Sequence, residues 1–391
     1  MPESDNRHHP NPQINMSAAN PGATSPQTVH VPLGDRSYDI SIGNGNLAEV
    51  GRWVTSLRKV THVVLISDGN VAKYYQQPVE DAIAAEGIRV TSLGVPAGEQ
   101  SKSVPTAQSL WEAALADRVD RKSTVVALGG GVVGDLAGFV AATMTRGLDF
   151  FQIPTSLLAQ VDSSVGGKVG INLPSAKNIV GAFWQPKGVL IDTAVLKTLP
   201  RREYLSGLAE VIKYGVILDA DFFAYLEANV QPMLNRDPAV LQKIIARSCE
   251  LKAQVVAEDE TETTGLRAIL NYGHTFCHAL ETVSGYGEYL HGEAVSVGML
   301  CASRLGEKLG VFDAESTQRQ AKLLSALELP VATPKLSETA ILSAMQRDKK
   351  VEHGKLRFIV PHAIGKVVLT PDVPSEMALA AWREGIEDES A

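Results

Sequence analysis

A chain of 391 residues is long for a single hydrophobic core, so two domains are expected. Its 45% hydrophobic and 20% charged residues describe an ordinary globular protein, and a net charge of −8 argues against a nucleic-acid surface while leaving small anionic substrates open. No uncharged apolar run reaches membrane-spanning length, because Asp135 interrupts VVALGGGVVGDLAGFVAATM, and Cys249, Cys277 and Cys301 form neither a CxxC motif nor an even set, which fits a reducing cytoplasm.

In chain order, residues 1–27 are rich in Pro, Asn and Ser and lack an apolar h-region. They are expected to be a disordered tail rather than a secretory signal, with His8 and His9 part of that tail. The following HVPLGDRSYDISIGNG alternates at period two and reads as an added hairpin. Residues 28–200 then alternate β-branched runs, THVVLISD (61–68), RVTSLGVP (89–96), STVVALGG (123–130) and DFFQIPTS (149–156), with amphipathic stretches such as 103–117. Such βα units predict a Rossmann-like α/β domain on a mostly parallel sheet. After LKTLP the pattern changes, and 202–218, 237–260, 274–284 and 292–309 carry helical spacing. Residues 201–391 are therefore expected to form an all-α domain, apart from one small β element in LRFIVPHAIGKVVL (356–369).

In VVALGGGVVGDLAGF, Gly129, Gly131 and Gly134 satisfy GxGxxG between an expected strand and helix, a turn that suits a pyrophosphate but is weak evidence alone. Asp135 in the first turn suits the helix dipole, and Asp149 fits the usual acidic ribose partner only loosely. Downstream, Lys168 and Lys177-Asn178 lie among glycines and small polar residues in a stretch apolar enough to be buried, and a buried lysine wants an anion. GLAEVIKYG places Glu210 and Lys213 one helical turn apart in apolar surroundings, which favours more than a solvated surface pair.

Three of the nine histidines fall within LNYGHTFCHALE and YLHGEAVSVG. His274 and His278 share a helix face, His291 follows, and no acid stands in the HExxH position, so a peptidase helix is disfavoured. With Glu210 available, a nitrogen and carboxylate ligand set suits zinc with an open coordination position.

Together, GGGVVGD, PTSLLAQVDSSVGGK, GLAEVIKYG, LRAILNYGHTFCHALE and HGEAV, in this order and spacing, resemble the 3-dehydroquinate synthase family across residues 30–370. The resemblance implies an NAD-binding α/β domain, a helical metal-binding domain and a cytoplasmic homodimer. It implies zinc, with cobalt an alternative, on Glu210, His274 and His291, and places His278 by a substrate phosphate rather than on the metal. NAD would meet Ala97, Gly98, Glu99, Gln100, Ser101 and Lys102 of AGEQSK, and Gly131, Val132, Val133, Gly134 and Asp135 of the glycine motif. It would also meet Thr155, Ser156, Lys168, Lys177 and the VLKT residues Val195, Leu196, Lys197 and Thr198. The phosphorylated substrate would meet Arg146, Lys168, Asn178, Lys213, Lys252, Arg267 and Asn271, with Asp162 near both ligands and either Lys349 or Lys350 closing over the site. Two departures are visible: Ser156 stands where a second threonine is common, and Cys277 where glycine is common.

The implied reaction oxidises a substrate alcohol, eliminates phosphate, reduces the ketone, opens the ring and closes a carbocycle by aldol addition, with NAD regenerated. Other sugar-phosphate cyclases, a polyol dehydrogenase of the glycerol dehydrogenase type and a non-catalytic NAD-binding module are the rival readings. Lys252, Arg267 and Asn271 match a carboxylate-handling pattern that argues against the other cyclases.

Overall fold

The computed structural model describes residues 26–285, 287–347 and 356–386. Lys349 and Lys350 lie outside these residues, as does the expected tail through residue 25. The first strand begins at Gln27, so the end assigned to the tail already belongs to the sheet.

Strands β1 (Gln27–Val31) and β2 (Tyr38–Gly43) form the anticipated antiparallel hairpin. The next four, β3 (His62–Asp68), β4 (Arg89–Val95), β5 (Thr124–Gly129) and β6 (Asp149–Pro154), are the β-branched runs of the sequence. Strands β7 (Lys168–Leu173) and β8 (Ala176–Phe183) form a separate two-stranded sheet. With β9 (Gly188–Asp192) the main sheet has seven strands in the order β1-β2-β9-β6-β5-β3-β4, parallel everywhere except β1–β2.

Alternation along the strands builds two layers. Val63, Leu65, Val126 and Leu128 pack with helices α1 (Val50–Leu57) and α2 (Gly69–Ala84). Val64, Ile66, Val125 and Ala127 pack on the other face with α3 (Val104–Ala116) and α4 (Gly131–Thr143). The central strands are buried on both faces, which is why they read as continuous apolar runs. From β3 the chain passes through α2 to β4 on one side, and from β5 through α4 to β6 on the other. Such a reversal opens a crevice at the carboxyl ends of β3 and β5, where α/β sheets bind ligands.

The C-terminal half is helical: α5 (Arg201–Leu218), α6 (Ala220–Ala228), α7 (Val230–Leu234), α8 (Pro238–Glu258), α9 (His274–Ser284), α10 (His291–Lys308), α11 (Ala314–Ala326), α12 (Glu338–Arg347) and α13 (Ser375–Arg383). It is not wholly α, because β10 (Leu356–Ala363) and β11 (Lys366–Val373) form the expected hairpin and carry it past residue 369. Helix α5 is central, with every residue from Tyr204 to Ile217 buried. Two glycines let its neighbours approach backbone to backbone. A Cβ on Gly292 would lie 1.8 Å from the Ser206 carbonyl oxygen, and one on Gly298 would lie 2.3 Å from the Gly273 carbonyl oxygen. The start of α10 is thereby drawn against α5, and the start of α9 against α10.

At the amino end of the sheet, buried His62 joins three strands. Its Nε2 lies 2.8 Å from Thr91 Oγ1 and its Nδ1 3.3 Å from Ser123 Oγ. Burial, reinforced by Arg89, holds the imidazole below its ordinary 6.5, and Asp117 and Asp120 offset only part of this. The fold therefore favours the neutral ring. Above pH 6.5 both states carry it neutral; as pH falls below 6.5 the unfolded chain takes up the proton first and stability is lost. Thermal unfolding followed from pH 7.5 down to 5.5 should show a falling midpoint, and His62→Gln should flatten part of that slope.

Candidate active site

Glu210 and Lys213 of α5 are 1% and 2% exposed and form an ion pair. The Glu210 Oε1 lies 3.7 Å from His274 Nε2 and 3.7 Å from His291 Nε2, the first residues of α9 and α10. One ligand atom from each of these three residues lies within 4.8 Å of the others. Both imidazoles are held from behind. His274 Nδ1 faces the Tyr272 carbonyl oxygen at 3.1 Å, and His291 Nδ1 faces Glu281 Oε1 at 3.3 Å. A proton on each Nδ1 donates outward and leaves the Nε2 lone pair facing Glu210. Glu210 Oε1 accepts no hydrogen bond although it is buried, while Oε2 contacts the Lys213 ammonium. A divalent cation would satisfy this set, and carboxylate plus imidazole ligands suit zinc.

Cys277, Glu281 and His291 form a second convergent group that shares the His291 ring. Burial pushes the Cys277 thiol up, so it remains protonated 3.9 Å from His291 Nδ1. His278 is in neither group; its ring packs edge-on against His274 at 5.6 Å.

Cations gather beside this centre. A π-helical turn, Ala159–Ser163, presents Asp162, whose carbonyl and carboxylate oxygens accept from Lys252 Nζ at 2.7 and 2.8 Å. The Tyr214 hydroxyl donates to the same carboxylate at 2.8 Å. Burial opposes the Asp162 charge, but Lys252, Lys213 and Tyr214 outweigh it and hold the carboxyl below its usual range. Arg267 is 3% exposed, with its guanidinium donating to the carbonyl oxygens of Glu260 at 2.7 Å and Gly166 at 3.3 Å. Asn271 ends the 3-10 turn that carries Arg267.

At the crevice three separate motifs meet. Lys102 is 4% exposed and donates to Asp135 Oδ2 at 2.7 Å and to Asn178 Oδ1. Asn172 donates to Glu99 Oε1 at 2.7 Å and accepts from the Asn178 backbone N–H at 2.7 Å. The AGEQSK loop, the start of α4 and the β7–β8 tip thus form one network. Burial holds the Asp135 carboxyl above its usual range, with Lys102 pulling the other way. Gly130 caps α4 without a side-chain bond, so its first N–H groups face the crevice mouth. The Thr155 N–H donates to the Gly129 carbonyl at 2.9 Å, and Ser156 Oγ accepts from the Ala159 N–H at 3.2 Å. In VLKT, Val195 and Leu196 are buried, Lys197 is exposed, and the Tyr75 hydroxyl lies 2.8 Å from Thr198 Oγ1.

Two expectations need correcting. Lys168 and Lys177 are not buried, because β7 and β8 form a surface hairpin; Lys168 is 51% exposed and pairs with Glu262. Asp149 stands opposite Thr124 at the entry end of β5, away from the glycine turn, where Arg58 and Lys187 neutralise it. Asn178, grouped by the resemblance with the substrate-binding residues, accepts from Lys102 at the edge of the crevice network. Arg146 is exposed beyond the far end of α4, in a left-handed run with Thr145 (φ 50°), Arg146 (φ 72°) and Gly147 (φ 121°). Tyr214, Glu281, Glu262 and Asn172 take part without having been singled out. Only Glu281 carries a sequence signal, lying two helical turns after His274 on one face.

Residues 92–206 match the family described as 3-dehydroquinate synthase N-terminal, and residues 207–351 that described as 3-dehydroquinate synthase C-terminal. A 3-dehydroquinate synthase of Rhodopirellula baltica is 52% identical over 361 residues, covering 91% of this chain and 96% of that protein. The structure of 2-deoxy-scyllo-inosose synthase complexed with carbaglucose-6-phosphate, NAD+ and Co2+ superposes with a TM-score of 0.85 at 28% identity, over 92% of this chain and all of the other. That of 2-epi-5-epi-valiolone synthase from Streptomyces hygroscopicus with NAD+ and Zn2+ gives 0.81 at 27% identity, over 89% and 96% of the two chains. With both halves matched and half of all residues shared with such a relative, the chain belongs to the 3-dehydroquinate synthase family.

Proposed function

We infer that the protein converts 3-deoxy-D-arabino-heptulosonate 7-phosphate to 3-dehydroquinate and phosphate, a lyase step of the shikimate route to aromatic amino acids. The observation that carries this reading is the buried Glu210 carboxylate facing two imidazole Nε2 atoms beside a cluster of cations. When bound, NAD supplies a reversible hydride store and a divalent cation supplies Lewis acidity at the substrate hydroxyls.

The chain's own groups bind and orient. Glu210, His274 and His291 hold the cation. The crevice network of Glu99, Lys102, Asp135 and Thr155, with the start of α4, holds the dinucleotide, and the VLKT turn flanks it. Lys213, Lys252, Arg267 and Asn271 meet the substrate's oxygens and carboxylate. Lys168, Arg146 and His278 are assigned to the phosphate, which they fix and whose charge they offset as it leaves. Asp162 keeps Lys252 and Tyr214 in place, and Lys349 or Lys350 is assigned to closure over the site.

The reading includes a homodimer in the cytoplasm, supported by family membership and by three buried free thiols. Light scattering should give twice the chain mass. No helix among the described residues is long and apolar enough to cross a membrane.

Metal analysis tests the centre first. Ala variants of Glu210, His274 and His291 should each lose stoichiometric metal, whereas His278→Ala should keep it and lose turnover. Glu281→Ala should weaken metal binding by roughly 10- to 100-fold in a chelator competition, because the His291 ring loses its support. A synthase releases many phosphates per NAD with little standing NADH; one NADH accumulating per substrate without phosphate would instead mean a polyol dehydrogenase. Lys168→Ala should slow phosphate release by roughly 5-fold, since a half-exposed cation contributes at most about 1 kcal/mol.

A further inference from the structure

We propose that Glu262 determines specificity by acting as an internal counter-ion, occupying the cations Lys168 and Arg267 until a substrate's own anion displaces it. The proposal rests on the assignment of those two cations to substrate. It concerns what those cations do before substrate arrives.

The turn bearing Glu262 is built rather than loose. Asp259 closes it, its carboxylate accepting from the Thr264 N–H and the Arg267 N–H at 3.0 Å each, contacts that pull its carboxyl down to about 2. Next to it, Glu260 is gripped by Arg36 at 2.6 Å and by Gln185 at 3.0 Å. Between these anchors Glu262 takes a left-handed backbone, φ 59°, which a glutamate adopts only when its surroundings impose it. This conformation aims the carboxylate at Lys168 Nζ, with Arg267 Nε 3.9 Å away. The Arg267 guanidinium otherwise meets neutral carbonyls, and Glu262 is the leading carboxylate that favours its charge against burial.

Besides Glu210, assigned to the metal, Asp162 and Glu262 hold cations here, and their surroundings decide which of the two exchanges. Asp162 grips a lysine that is 7% exposed and also accepts from Tyr214, so dislodging it would strand a buried ammonium. The Glu262–Lys168 pair is 40% and 51% exposed, where pairing is weak and water replaces a lost partner. An incoming phosphate or carboxylate brings the charge needed to take Glu262's place. A neutral polyol does not, so the turn selects against uncharged sugars.

The test uses Glu262→Gln, which removes the charge at constant shape, and Glu262→Asn, which also tolerates the left-handed backbone. Steady-state phosphate release gives KM and kcat for the heptulosonate phosphate, and calorimetry gives the affinity for inorganic phosphate. Both variants should lower KM and the phosphate Kd by about two- to five-fold, the range of an exposed ion pair, with kcat within about twofold. The gap from the unsubstituted protein should narrow as salt rises. An unchanged or raised KM or phosphate Kd, or a fall in kcat at constant KM, would overturn the proposal and make Glu262 a support for Lys168. Absence of phosphate release by the unsubstituted protein would instead defeat the assigned reaction. The calorimetric comparison would still decide the role of Glu262.

Discussion

A carboxylate sealed inside an apolar helix governs the C-terminal half. Glu210 sits where water cannot solvate it, and an isolated ionised group so placed would carry a penalty of several kcal/mol. Lys213, one turn on, answers part of that charge, and a cation held together with the Nε2 atoms of His274 and His291 would answer the rest. Everything nearby is arranged to keep those three groups on one point. Gly292 and Gly298 allow the helices to touch, Tyr272 and Glu281 fix the rings from outside, and α5 is wrapped on all sides. A polar centre of this kind is stable only with its partners in register, so local geometry here is a condition of the fold as much as of chemistry.

The α/β half solves a different problem with softer means. Its crevice follows from strand order, and the groups lining it come from three stretches of chain. Lys102 ties them together by bonding Asp135 of α4 and Asn178 of the β7–β8 tip at once. The two halves are also coupled electrically: Lys252 of α8 acts on Asp135, and Lys177 of the hairpin acts on Glu281 of α9. Charges assigned to cofactor and to substrate therefore share one field.

Much of this is legible in the residues. Apolar spacing marks α5, α8, α9 and α10 to within a few residues, because a helix in a large core must repeat its contacts every turn. The three acid and imidazole groups at the centre are likewise visible as residue types on such helices. What the sequence hides depends on direction and depth. Asp149 has an acceptable spacing, yet strand polarity puts it at the opposite end of the sheet from the glycine turn. Lys168 and Lys177 sit among small residues that suit an interior equally with a thin surface hairpin, and only pairing of β7 with β8 distinguishes them. Tyr214 gains its role from Asp162, 52 residues away on the π-helical turn, which no local pattern encodes.

The β1–β2 hairpin has a consequence for how the chain is made. Val29, Val31, Tyr38, Ile40 and Ile42 are buried in the same cluster as the C-terminal helices, not beneath the α/β layers. Arg36 reaches Glu260 across 224 residues, and Gln242 donates to the Ile42 carbonyl across 200. Residues synthesised before the α/β layers thus complete a core whose other walls are synthesised after them. On the ribosome this apolar hairpin waits, unsatisfied, until α5 and α8 have followed it. Long-range closures of this kind slow folding and expose sticky surface meanwhile. The first strands are in effect a clasp that shuts only once the helical half exists, and a chain cut short before α8 would leave it open.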